Sequence, residues 1–354
     1  MTATATVTEA GNRPRRELIE AGREVRRRVP RSSHAQLAAP VDRPDPIDLL
    51  EASNRGRLPQ LVPVRYARML ESPFTFLRGA PIVMTWDLAR TPTTGFDVQA
   101  CGDAHLLNFG SYATPSRRLV FDVNDFDETL PAPREWDVKR LAASCAVAAR
   151  TAGHRKVAAD APRAAAATYA AEMSSLSTLT TLQIHYAHTD VDAAALVKAN
   201  DVRAGDLREL AAVSRSHTTM QAFTKLTRKV DGRHRIVERP RLIVHLTDEE
   251  RIAAQVASIY GQYRDTLPDH LRRLLDQYRL TDVAQKVVGV GSVGTRCAVI
   301  LFEGRGMLDP LVLQMKEARL SELEPYVGAS EYRHSGQRVV TGQQTMQALT
   351  DIFL

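Results

Sequence analysis

The chain has 354 residues, 44% of them hydrophobic and 25% charged, which is enough apolar material for a sizeable core in a soluble globular protein of two lobes. Lys and Arg number 47 against 41 Asp and Glu, and the net charge of +6 suits an anionic ligand such as a nucleotide while being too mild to demand nucleic acid. Cys101, Cys145 and Cys297 are scattered, form no CxxC and have no histidine at zinc-ligand spacing, so they read as reduced and mostly buried.

The residues up to about 16 read as disordered and lack the apolar stretch of a secretory signal. No run is long enough to span a bilayer, so the expected location is the cytoplasm with no membrane partner. From Arg15 a basic helix with Arg23, Arg26, Arg27 and Arg28 runs to Pro30. It reads as a solvated helix rather than a nucleic-acid or membrane arm, and has no aromatic residues to stack on bases. Prolines break the chain into turns and short helices between Pro40 and Pro63. Apolar, β-branched runs predict strands over 96–101 and 119–123, and Ala-rich periodic segments predict helices over 138–150, 157–175, 191–199 and 207–229. A turn follows at Asp231-Gly232, then helices over 248–265 and 269–278. After Thr281 the pattern becomes β-like over 286–294, 295–302 and 311–315, with a last helix over 336–350. This divides the chain into a basic N-terminal arm and linker (1–60), a helical catalytic lobe (61–280) and a glycine-loop β lobe (281–354).

The chemistry is concentrated in Gly102-Asp103-Ala104-His105-Leu106-Leu107-Asn108 and Asn124-Asp125-Phe126-Asp127. Phosphoryl transfer needs a carboxylate to orient the acceptor hydroxyl and oxygen ligands for Mg²⁺. Asp103 and Asn108 have the Asp-x-x-x-x-Asn spacing of a kinase catalytic loop, with Asp103 as the base and Asn108 as a metal ligand. Alone, such a pair is more often a turn former. A carboxylate that follows an apolar strand and precedes Phe fits the second Mg²⁺ ligand, and Asp125 is that candidate, with Asp122 as its rival. Asp127 and Glu128 could hold a second metal but read as solvated turn residues, and His105 reads as bracing the loop. Asp137 is expected at a helix start, capping free N–H groups or pinning the catalytic-loop backbone.

Gly289, Gly291 and Gly294 form a GxGxxG that two folds share. A dinucleotide-binding fold requires a helix from the last glycine, whereas a phosphate-covering hairpin requires a strand there and a lysine on the next strand. The run from Thr295 to Phe302 reads as a strand, and Lys316 closes the next one as the candidate phosphate lysine, the bland alternative being a strand-end lysine in solvent.

Together Gly102-Asp103-Ala104-His105-Leu106-Leu107-Asn108-Phe109-Gly110, Asn124-Asp125-Phe126-Asp127-Glu128, Trp136-Asp137-Val138-Lys139-Arg140-Leu141 and the stretch from Val288 to Cys297 closely resemble the uncharacterised bacterial domain-of-unknown-function family 2252, from about Arg15 to Leu354. Members of that family generally run on past this point, so the resemblance implies a chain shortened at its C-terminus. The expected fold is α+β, two-lobed and protein-kinase-like, circularly permuted because the glycine loop and lysine follow the catalytic loop. A helical catalytic lobe would face a small, incomplete antiparallel β lobe. The expected function is an ATP- and Mg²⁺-dependent phosphotransferase with an unknown acceptor. The alternatives are a nucleotide-binding pseudokinase or regulatory module without turnover, and a Rossmann-type dinucleotide-binding oxidoreductase. No Glu of the last helix is placed to pair with Lys316, and Glu317, Glu322, Glu331, Gln343 and Gln344 are its candidate partners.

Overall fold

The structure, a computed structural model, describes residues 13–36, 40–116, 118–191, 219–245, 249–306 and 309–354. It is a mixed α and β protein whose strand pairs are all antiparallel among the described residues. The segment expected to be disordered at the extreme N-terminus, the helix expected over 191–199 and most of that over 207–229 lie outside the described residues.

Helix α1 (Arg15–Arg28) buries none of its side chains and carries the pairs Arg16–Glu20 and Glu24–Arg27. Four short helices follow: α2 (Pro46–Asn54), α3 (Val62–Met69), α4 (Pro73–Gly79) and α5 (Pro81–Leu88). Their starts are set locally. Asp45 caps α2 by accepting from the Ile47 amide, and Ser72 and Thr75 form a reciprocal capping box on α4 with Pro73 in the first helical position. Leu50, Met69 and Ala80 pack together and enclose Val290 of the glycine segment. These helices thus form a platform against that segment.

Strand β1 (Asp97–Ala100) pairs with β4 (Leu130–Pro133), while β2 (Phe109–Ala113) and β3 (Leu119–Val123) form a hairpin that β5 (Thr189–Asp190) extends. Helix α6 (Arg134–Thr151) leaves β4 directly and α7 (Arg155–Leu176) packs along it. A short helix, α8 (Thr181–His185), precedes β5.

Helix α9 (Thr219–Leu226) ends earlier than expected, because residues up to 230 form strand β6 (Thr227–Val230), paired with β7 (Arg233–Ile236). The two-residue turn between them has positive φ at both Asp231 (49°) and Gly232 (80°), the geometry that matches strand twist in a tight hairpin. Past β8 (Ile243–Val244), α10 (Glu249–Thr266) and α11 (Asp269–Leu275), strands β9 (Arg279–Lys286), β10 (Cys297–Glu303) and β11 (Pro310–Lys316) complete a sheet of order β11-β10-β9-β8. Strand β10 is central and apolar on both sides. Val299 and Leu301 meet Phe223, Ile236 and Ala284, while Ile300 and Phe302 meet Val256 and Tyr260. This sheet draws on residues well before 281.

The expected strand over 286–294 is displaced: β9 stops at Lys286 and residues 287–296 form the turn that leads into β10. Beyond Lys316 the chain crosses back. Helix α12 (Glu324–Val327) packs on β4, and α13 (Ser335–Met346), capped by the His334 imidazole, packs on β1. No helix among the described residues is long and apolar enough to cross a membrane.

Candidate functional site

The loop that leaves β1 is held by one face of α6. Asp137, Arg140 and Ser144 are spaced i, i+3, i+7 and therefore project on the same side. Asp137 accepts from the Cys101 amide at 2.7 Å and the Gly102 amide at 3.0 Å. Ser144 Oγ accepts from Leu106 N at 2.9 Å. Asp137 is thus in the first turn of α6 but serves the loop backbone; burial pushes its carboxyl up to about 6 while the two amides pull it down. Gly102 has φ of 83°, and a Cβ there would fall 2.6 Å from the Glu128 carbonyl oxygen, so glycine is required twice over.

Asp103 Oδ1 accepts from Arg140 Nε at 2.7 Å and lies 2.6 Å from Nη2, on a guanidinium that also donates to the Leu77 carbonyl. Burial raises the Asp103 carboxyl above its ordinary value, and Arg140 opposes that by favouring the charged form. Asn108 Nδ2 donates to the Asp103 carbonyl at 2.6 Å, closing the loop and leaving the amide oxygen as the free end of the side chain. His105 is 3% exposed, and burial together with Arg140 and Arg78 lowers its imidazole to about 3, so it is neutral at physiological pH. Its Nε2 is 3.8 Å from Asp103 Oδ2.

Cys101, Asp103, His105, Asn108, Asp125, Asp127 and Glu128 line one wall of a cleft that encloses about 780 Å³, the part open to solvent included. That lies within the range of small-molecule sites. The opposite wall holds Gly289, Val290, Gly291 and Ser292, whose hydroxyl donates to Asp127 Oδ2 at 3.2 Å. Asp125 lines this cleft and Asp122 does not: Asp122 lies in β3 and accepts from the Val123 and Ala348 amides. Burial, then Asp127, pushes the Asp125 carboxyl to about 6. Lys316 ends β11 with an exposed side chain. Desolvation lowers its pKa, but Asp125, Asp127 and Cys297 together outweigh that and hold the ammonium above its usual value. Asp125 and Asp127 thus act on the Lys316 charge through space, while Lys316 and Gly294, unlike Gly289 and Gly291, are not among the residues that line the cleft. Of the suggested partners of Lys316, Glu317 pairs with Arg296, Glu322 lines the cleft, and Gln343 in α13 donates to Gln347.

The glycine segment is positioned through its carbonyls. Arg57 Nη1 donates to the carbonyls of Gly291 (2.7 Å) and Val293 (2.6 Å), Arg68 to that of Gly289, and the Leu58 amide to that of Gly294. Gly289 and Gly294 have φ of 65° and 92°, which L side chains rarely adopt. No helix starts at Gly294; a turn continues to 295 and β10 begins at Cys297. The Rossmann-type alternative is corrected on this ground, since its pyrophosphate would need a helix N-terminus here.

Glu128 also departs from expectation. It is not a solvated turn residue: its carboxylate accepts from the Glu322 amide at 2.6 Å and its carbonyl from Ser321 Oγ at 2.7 Å. Arg338, 1% exposed, donates to the carbonyls of Asp127, Thr129 and Arg319, so the acidic loop is fixed from beneath by α13. Sequence reasoning missed Arg57, Arg78 and Arg319 as cleft residues, preferred a solvated turn for Glu128, and named Glu322 only as a partner for Lys316. It also missed Arg140 as the partner of Asp103, for which the i, i+3 spacing from Asp137 was a usable signal.

The donor set fits Mg²⁺ only as a shared site. Among the described residues no group of three or more His, Cys, Asp and Glu side chains forms a protein cage for a metal. Mg²⁺ normally takes one or two carboxylates and completes its shell with phosphate and water, which the Asn108 amide oxygen and Asp125 carboxylate suit.

No curated protein and no solved structure matches this chain. A family model matches residues 57–354, taking in every cleft residue and beginning later than the Arg15 expected from the sequence. The chain thus belongs to domain-of-unknown-function family 2252, described as an uncharacterised protein conserved in bacteria.

Proposed function

We propose that this chain is an ATP- and Mg²⁺-dependent phosphotransferase with a protein-kinase-like, circularly permuted arrangement. The observation that carries the reading is the single cleft in which Asp103, Asn108 and Asp125 face Gly289 and Gly291, with the Lys316 charge bearing on Asp125. In this reading Asp103 orients the acceptor, Asn108 and Asp125 hold Mg²⁺, the glycines cover the phosphates and Lys316 contacts them. Bound there, Mg²⁺ supplies neutralisation of phosphate charge. The acceptor hydroxyl oxygen bonds to the terminal phosphorus as the bond from that phosphorus to the ADP oxygen breaks. The electron pair leaves on ADP and the proton passes to Asp103 Oδ2, the oxygen not engaged by Arg140.

A second reading, nucleotide binding without turnover, is favoured by one feature: the Arg140 guanidinium holds Asp103 Oδ1 in an ion pair that offsets part of the gain in basicity burial gives this carboxylate. Titrating ATP with and without Mg²⁺ tests both. Metal-dependent binding lost in Asp125→Ala, with turnover lost in Asp103→Ala, supports the phosphotransferase. Binding without turnover on any acceptor selects the second reading, and no ATP binding at all defeats both.

A further inference from the structure

Arg57, Arg78 and Arg319 line the cleft and Arg140 stands behind Asp103, and all of these but Arg78 are already committed. Arg140 is spent on Asp103 and the Leu77 carbonyl, Arg57 on the carbonyls of Ser53, Gly291 and Val293, and Arg319 on those of Ser53 and Arg55. Arg78 is different. It lines the cleft from the end of α4, its Nε is buried without a hydrogen-bond partner, and among the described residues no hydrogen bond or ion pair holds its guanidinium. Arg78 is only half-buried, but an Nε shut away from water without an acceptor carries a cost that an anion bound across the guanidinium would remove.

Its position narrows what that anion is. The Arg78 charge acts on Asp103 and on neutral His105, the acceptor end of the cleft, whereas the acidic groups Asp125 and Asp127 are answered by Lys316. With Arg140 bound to Asp103 and His105 uncharged, Arg78 is the free positive fork at that end, a shape suited to two oxygens of one carboxylate or phosphate.

We propose that Arg78 forms an oxyanion subsite beside Asp103, so that the acceptor is a hydroxyl compound carrying its own carboxylate or phosphate group. The acceptor part of this proposal rests on the phosphotransferase reading; the subsite itself does not.

The test uses the whole protein saturated with Mg²⁺ and a non-hydrolysable ATP analogue, so that the terminal-phosphate position is filled, and titrates inorganic phosphate by calorimetry. We expect phosphate binding to weaken tenfold or more in Arg78→Gln and less than fivefold in Arg78→Lys, with analogue affinity within twofold of the parent. Thermal melts of both variants check that they fold. Unchanged phosphate binding in Arg78→Gln overturns the proposal, and so does a matching loss of analogue affinity, which would assign Arg78 to the nucleotide. If the parent protein fails to bind the analogue, the phosphotransferase reading falls. Phosphate titrated into the nucleotide-free protein then still decides the subsite, through the same comparison of parent and Arg78→Gln. For the acceptor class, hydroxy acids and sugar phosphates should outpace neutral polyols of the same size at least tenfold; equal rates would overturn it.

Discussion

The two walls of the cleft are built by opposite strategies. The wall carrying Asp103, Asn108 and Asp125 comes from one contiguous stretch, in which β1, β3 and the first turns of α6 position the loop through side chains three or four residues apart. The glycine wall comes from the far end of the chain, and its placement depends on Arg57 and Arg68, more than 200 residues earlier. The first wall is preorganised by local geometry around Asp103 and Asn108, with Arg338 added from α13 only beneath its acidic end. The second is a loop whose carbonyls are clamped from outside, leaving its conformation only as secure as those clamps.

That contrast can be broken most sharply at Arg57. Replacing it with Ala removes donors from three carbonyls, two of them in the glycine segment. Hydrogen bonds to a charged donor contribute about 1.5–3 kcal/mol each, but Arg57 is itself held at about 9 by burial and by Arg65 and Arg319, a cost that its removal relieves. The expected net loss is about 3 kcal/mol in denaturant unfolding, with ATP affinity down tenfold or more. A variant that keeps parental nucleotide affinity would show that the glycine wall does not need its clamp.

The complementary change in the local wall is Asp137→Asn. The carboxylate now accepts two amides, and an asparagine must turn its NH₂ toward one of them, setting donor against donor. About 2 kcal/mol of stability should be lost. Turnover should fall further than nucleotide affinity, because Asp103 is displaced while the glycine segment is not. Equal losses in both measurements would mean that the two walls are mechanically coupled and that the contrast drawn here is false.

The same contrast explains what the sequence disclosed. Asp103, Asn108, Asp125 and the glycines were legible because loop chemistry is written in short spacing, and the strand after Gly294 was legible from its apolar run. Asp122 could not be separated from Asp125 by spacing, since the turn after β3 decides which carboxylate enters the cleft. Arg57 lies in a stretch with no local motif, and its partners are fixed only by tertiary packing. The helix expected to run to 229 stopped at Leu226 because a two-residue turn with positive φ drew the following residues into a hairpin. Periodicity cannot register a competing pairing of this kind.

The last point of comparison is the seam where the two strategies meet. Glu128 ends the local acidic loop, and its carboxylate takes the amide of Glu322 on the returning C-terminal segment. Burial, then the nearby Glu322 charge, pushes the Glu128 carboxyl from 4.5 up to about 8. Between those values the unfolded chain has released a proton that the folded protein keeps, so stability should fall as pH rises from about 4.5 to about 8 and level off above. Glu128→Gln retains an acceptor for the Glu322 amide and removes the proton, and should therefore flatten this slope. The full shift would correspond to several kcal/mol, but relaxation and water entry in a partly exposed seam reduce it, and a change of about 1 kcal/mol between pH 5 and 8 is expected. Denaturant unfolding at matched ionic strength across that range reads it directly. Parallel curves for the parent and Glu128→Gln would place the proton elsewhere. The seam would then be held by the Glu322 amide, the Ser321 hydroxyl and the Arg338 guanidinium, with no cost from a buried Glu128 charge.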